Sequence, residues 1–388
     1  MADIHRPHKN ITPELPPEIW LFHILPRLPI KSLLRVMSVC RQWRSIIKTP
    51  TFANVHLHRV TTNGHHENSH KLLVLSTITP CSFRTMDCET PEDDLTTARS
   101  FPFKTSPENV MIIASLNGLV CVGIKKCRYD DDEYSDLILW NPVTGDYKTL
   151  SKANSNKQCY KTCGIAFGLY YSCADDDYKL LRVTIDRDAY IYSLRSDSWR
   201  MVESTQEYLR HKPSWFSESW NPSTFLNEKL YFLKQVKRAT VSPQSYSIIQ
   251  FDVKTEKLTE TAAPSFGNLL TGCLNMTVLR GCIHLTIWKA KFRHWCRTME
   301  MWRMDEDGDW GKMVTYCSIP SFPWFQQQLH LMRSGNWLMH SEYGIYEVDL
   351  EKDTKVQLYT HPANSIIIHP RGKYIQTFVS PNQYTYSI

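Results

Sequence analysis

Nothing in the 388 residues approaches the run of about 18 apolar residues that a membrane-spanning helix needs, and the opening MADIHRPHKN has no leader-like apolar stretch. A soluble protein of the cytoplasm or nucleus is expected. Glycine is scarce, 14 residues with no Gly-Gly pair, and none of the 12 cysteines falls in a C-x-x-C spacing. Scattered cysteines in so long a chain do not make a disulfide miniprotein, so reduced and mostly buried thiols are expected. Also missing are G-x-x-x-x-G-K-[ST], G-x-G-x-x-G after a strand, G-x-S-x-G and H-E-x-x-H, which removes the commonest phosphate-binding, dinucleotide-binding, hydrolase and zinc-protease chemistries. No cofactor and no metal are expected.

What is present first is a short apolar block at 15–57, LPPEIWLFHILPRLPIKSLLRVMSVCRQWRSIIKTPTFANVHL. Prolines divide it: Pro16 and Pro17 suit a first helical turn, Pro26 closes that helix and Pro29 opens the next. The first segment carries Ile19, Trp20, Leu21, Phe22, Ile24 and Leu25, apolar nearly all round, so it must be buried on more than one side. The second offers Ile30, Leu33, Leu34 and Met37, and the third Val39, Cys40, Trp43, Ile46 and Ile47. Three short helices sharing one small core are expected. About 40 residues seldom fold without outside help, so a foreign protein is implied as the missing cover.

Leu15-Pro16, Glu18-Ile19, Ile24-Leu25, Arg27-Leu28-Pro29, Lys31-Ser32-Leu33-Leu34, Val39-Cys40, Trp43-Arg44, Pro50, Phe52 and His56-Leu57 together resemble the F-box of plant F-box proteins. The resemblance implies docking onto the Skp-type adaptor of an SCF cullin-RING ubiquitin ligase. It places Leu15, Pro16, Ile19, Leu25, Leu28, Pro29, Leu33, Val39, Cys40 and Trp43 at adaptor-facing or adaptor-supporting positions. Trp20-Leu21-Phe22-His23 and Met37-Ser38 depart from the family pattern and bear on which adaptor paralogue is preferred.

Charge offers a rival. Arg41, Arg44 and Lys48 recur at helical spacing, as in a helix-turn-helix tracking phosphates. Residues 1–58 hold eight Lys and Arg against three Asp and Glu, whereas the remainder holds 37 against 36. The near-neutral bulk of the chain speaks against nucleic acid, and a charge run is more often a solvated face. Nucleic-acid binding predicts affinity falling steeply with salt, whereas an apolar adaptor interface should hardly respond.

Residues 1–14 read as a disordered tail and 15–58 as the helical domain. Residues 59–70 read as a linker in which His65, His66 and His70 lack companion ligands at metal spacing. From 71 to 388 the texture is short apolar or alternating runs broken by turn residues, with no long amphipathic helix between them, so an all-β fold is expected. Five hairpins superpose: LILWNPVTGDYKTL, YIYSLRSDSWRMV, SIIQFDVKTEKLTE, MEMWRMDEDGDWGKMV and GIYEVDLEKDTKVQL. Their anchors Trp140, Leu194, Phe251, Trp302 and Val348 lie 54, 57, 51 and 46 residues apart. That is close to the period of about 50 of a kelch-type blade. A degenerate unit at 81–87 makes six. Closure of the ring removes sheet edges and is expected to pair a strand near Leu72–Leu75 with YIQTFVS or QYTYSI at the other end.

Asn117-Gly118-Leu119-Val120-Cys121, Leu139-Trp140-Asn141-Pro142-Thr144, Gly164-Ile165-Ala166-Phe167-Gly168, Asp177-Tyr178-Lys179-Leu180, Tyr192-Ser193-Leu194, Ser198-Trp199-Arg200, Phe251-Asp252 and Met301-Trp302 resemble the plant F-box-associated domain, which is propeller-like. The fold expected is thus α+β multidomain: a three-helix F-box, then a propeller of about six blades.

The acid runs at 130–133 and 175–177 suit solvated turns, and Cys159, Cys163 and His294-Trp295-Cys296 sit in no reactive pattern. Recognition remains. Aromatic and Arg residues anchor such surfaces, and the target-binding candidates are Trp215, Phe216, Trp220, Arg293, Trp295, Trp324 and Phe325, against the simpler reading that they pack between blades. The reading is a non-catalytic substrate receptor of an SCF ligase, with the adaptor, cullin and RING subunits and a target protein as partners. The alternatives are a propeller sensing a small molecule or glycan, marked by a deep polar and aromatic pocket, and a propeller enzyme, marked by His and carboxylates at the ring's mouth.

Overall fold

In the computed structural model the described residues are 16–62, 70–76, 82–91, 98–104, 110–125, 134–152, 164–184, 188–205, 217–220, 223–237, 245–266, 272–291, 294–318, 325–341, 343–352, 354–360 and 372–384. They form a helical arm and six antiparallel sheets arranged as the blades of a propeller. No helix among them is long and apolar enough to cross a membrane.

The arm begins with a continuous helical segment in three phases: α1 (Pro17–Ile19), a π turn at Trp20–Ile24 and a 3₁₀ turn at Leu25–Arg27. Pro26 has no N–H for an α-helical turn, and Leu28 is already extended. α2 (Ile30–Val36) follows Pro29 and α3 (Arg41–Ile47) follows Cys40, whose Sγ accepts the Trp43 N–H at 3.4 Å. A fourth helix, α4 (Pro50–Thr62), exceeds the three expected. Its start has a local cause: Thr49 Oγ1 accepts the Phe52 N–H at 3.1 Å and Pro50 occupies the first turn. α4 runs past the boundary read at 58, so 59–62 are helical rather than linker, and His70 already belongs to the first strand.

Each of the five superposed hairpins proves to be the outer pair of a blade. Blade 2 is Val110–Leu116, Leu119–Lys125, Tyr134–Trp140 and Tyr147–Thr149, and blade 3 is Gly164–Ser172, Asp177–Thr184, Ala189–Ser193 and Ser198–Met201. Blades 4, 5 and 6 repeat the order, with Ser245–Asp252 and Lys257–Ala262, His294–Met304 and Trp310–Ser318, and Gly344–Asp349 and Thr354–Thr360 as their outer pairs.

Blade 1 is composite. His70–Ser76, Ser82–Asp87 and Arg99–Ser100 come from the start of the domain, and Gly372–Ile375 supplies the remaining strand, pairing His70 with Ile375 and Leu73 with Gly372. The expected closure is therefore present, but only the first two residues of YIQTFVS take part; the rest leaves the sheet. The joint to blade 2 is filled by Trp140, whose ring packs on Phe83 at 4.7 Å, Phe101 at 5.4 Å and Phe103 at 5.9 Å between centroids.

Candidate docking site and its anchorage

The chain leaves blade 1 at Gln376 and crosses to blade 2, and this crossing positions the arm. Asn141, fully buried at the Trp-Asn-Pro turn, is the hub. Its Oδ1 accepts the Val143 N–H at 2.8 Å, holding the turn, while its Nδ2 donates to the carbonyls of Thr377 at 3.0 Å and Val379 at 2.6 Å. Thr377 Oγ1 donates to the Asn117 carbonyl at 2.8 Å. Asn117 and Gly118 both have positive φ, the tight hairpin turn in which glycine is favoured, and a Cβ on Gly118 would collide with Thr377 Oγ1. Further on, Tyr384 packs edge-on to Tyr178 at 5.2 Å, and burial pushes its hydroxyl pKa up to about 12.

Between these anchors the tail presents Phe378 to the arm. Phe52 and His56 of α4 lie 5.8 and 5.7 Å from its ring. Burial, with Arg59 adding, lowers the His56 pKa to about 4, so the imidazole is neutral. One apolar cluster then runs from Leu25, Ile30, Leu33, Ile47, Phe52 and Ala53 in the arm through Phe378 and Val379 into Leu119, Leu139 and Tyr178 of blades 2 and 3. The cover inferred for the small helical block is thus supplied on one side by the same chain, correcting the inference that a foreign protein alone provides it.

Other apolar side chains of the arm are exposed. Phe22 is 43 %, Leu34 42 % and Val39 67 % exposed, a concentration of large apolar surface on one short arm. Of the residues named from sequence, Pro16, Pro29 and Val39 are exposed, and Ile19, Leu28, Cys40 and Trp43 are half-buried. Leu25 and Leu33 lie in the core, and Leu15 falls outside the described residues. Trp43 packs against Trp20 at 5.2 Å, so both rings brace the arm from within. Phe22 and Leu34 were not among the named positions. Helical spacing alone signals Leu34, since Leu33 points to the core and the next residue lies about 100° away.

The turns that meet the tail, at 117–118 and 141–146, join first to second and third to fourth strands. Antiparallel order puts the second-to-third connections and the crossings between blades on the opposite face of the ring. Of the target candidates, Trp215, Phe216, Arg293 and Trp324 fall outside the described residues. Trp220, Trp295 and Phe325 lie in strands rather than loops; Trp295 is second in His294–Met304 and Phe325 opens Phe325–Leu331, both at the ends facing away from the arm.

Among the described residues, an apolar helical arm is thus tied to one face of a six-bladed propeller. Residues 74–379 match the family described as F-box associated beta propeller domain, and residues 12–58 match F-box-like. The chain belongs to the F-box associated beta propeller family. It is 25 % identical over 98 % of its length to the F-box/kelch-repeat protein At3g23880 of Arabidopsis thaliana, of which 98 % is covered. F-box protein At3g07870 of the same plant is 24 % identical over 76 % of this chain and 71 % of its own. F-box proteins are in general non-catalytic adaptors, and the pairing of F-box and propeller supports a substrate-receptor role in broad terms.

Proposed function

We propose that the chain is the substrate-receptor subunit of an SCF E3 ubiquitin ligase. Its arm seats on a Skp-type adaptor through Phe22, Leu34 and Val39, with Pro16 and Pro29 at the edge. Cullin and RING subunits follow through the adaptor. The ring face away from the arm takes a target protein for ubiquitination and degradation. The chain itself does no bond chemistry; it raises the effective concentration of a target lysine near the charged conjugating enzyme and holds its orientation. The observation that carries this is the exposure of Phe22, Leu34 and Val39 on an arm whose core residues are packed against the propeller.

The test is affinity purification of the intact chain beside a Leu34→Asp, Val39→Asp variant. Both side chains are exposed, and an unchanged Tm of the variant checks that the fold is kept. Adaptor and cullin should vanish from the variant while target proteins stay. Undiminished recovery of the adaptor would overturn the reading.

A further inference from the structure

The arm carries a charge pattern that apolar docking does not use. Residues 16–62 hold seven Lys and Arg and one acid, Glu18. Arg27, Lys31, Arg35, Arg41, Arg44 and Lys48 are all exposed. Among the described residues no ion pair reaches Arg27, Arg35, Arg41, Arg44 or Lys48. On α2, Lys31 and Arg35 stand four apart; on α3, Arg41 and Arg44 stand three apart, and Lys48 follows Arg44 at four. Like charges at these spacings face one another and destabilise a free helix.

Two carboxylates at a turn of blade 3 are already engaged within that blade. Asp175 is paired with Lys179, and Asp176 with Arg195 at 2.9 Å. The basic rows border the apolar residues: Leu34 lies between Lys31 and Arg35, and Val39 between Arg35 and Arg41 along the chain.

We infer that the surface this arm fits is an acidic protein face, with carboxylates flanking the apolar groove that receives Phe22, Leu34 and Val39. The inference rests on the docking reading above and names its partner's chemistry. A phosphate backbone satisfies the charges but gains nothing from three exposed apolar side chains, so a protein is favoured over nucleic acid. Charges at the rim of an interface act mainly on encounter, through long-range steering that salt screens. The expectation of a salt-insensitive contact therefore gives way to one whose on-rate is salt-sensitive and whose off-rate is not.

The experiment measures association of the full-length chain with a recombinant Skp-type adaptor by stopped flow from 50 to 500 mM NaCl. The on-rate should fall about tenfold or more and the off-rate change by less than about threefold. Arg41→Glu, Arg44→Glu, Lys48→Glu should slow association at 50 mM by a similar factor, with no lower Tm. The corresponding triple Gln variant should fall between. Tight binding with an on-rate flat across salt overturns this inference and leaves the docking reading standing. No adaptor binding at any salt overturns both. Tighter binding at 150 mM NaCl to a 20-base-pair duplex of arbitrary sequence than to the adaptor overturns it in favour of nucleic acid.

Discussion

His56 and Asn141 show how single side chains fasten the arm. His56 is enclosed by Phe52 and Phe378, and its Nδ1 has no partner among the described residues. Its pKa is about 4 when folded against 6.5 when free, so between those values the unfolded chain binds more protons. The contribution is intact above pH 6.5 and lost as pH falls towards 4, by about 3 kcal/mol in all. Denaturant titrations across that window should show a shallower pH slope in His56→Leu than in the parent; equal slopes would exclude His56 as the source. Asn141→Ala strips donors from two buried carbonyls and leaves the 141–146 turn unheld. It should cost about 2–4 kcal/mol, read from urea midpoints, and Asn141→Asp should fare no better because it faces those carbonyls with charge.

The tail Gln376–Tyr384 is the element that these side chains serve. Phe378→Ala removes the ring shared by α4 and blade 2 and should cost about 3–5 kcal/mol. Amide exchange should then speed up across α1 to α4 while blades 4 to 6 keep their protection; uniform loss of protection would mean that arm and ring are one cooperative unit. None of this crossing was legible in the sequence, because YIQTFVS has the alternation of a strand and only the contacts of Thr377 and Phe378 show that it leaves the sheet. The outer hairpins were legible because each joins two apolar runs by a polar turn. The inner strand Phe325–Leu331 was not, since register shifts at Phe325/Gln327 and Gln328/His330 break its alternation. α4 has its signal in Thr49-Pro50, a capping hydroxyl followed by a first-turn proline. The Pro-punctuated apolar block marks the arm, but which of its side chains are covered depends on the propeller, and so Leu25 and Leu33 are buried while Phe22 and Leu34 are exposed.

Across the whole molecule, one short stretch both closes the ring and anchors the arm. A chain ending at residue 371 loses the Gly372–Ile375 strand and the tail together. Fast exchange should appear at His70–Ser76, along with binding of a hydrophobic dye; retention of full protection there would show that the ring closes without it. Ion pairs between blades, such as Arg200 with Glu256, are exposed at the rim and do not replace a lost strand.

That arrangement also has a meaning in time. The helices emerge from the ribosome before the blades, and residues 372–384 emerge only after blades 2 to 6 and the rest of blade 1. Until then the contacts of Phe378 and Val379 between arm and ring are missing. A chain stalled during translation can display its apolar helices, yet it cannot aim them. Residues 372–384 thus act as a latch made after the strands they join, and the arm is aimed only once that latch is in place.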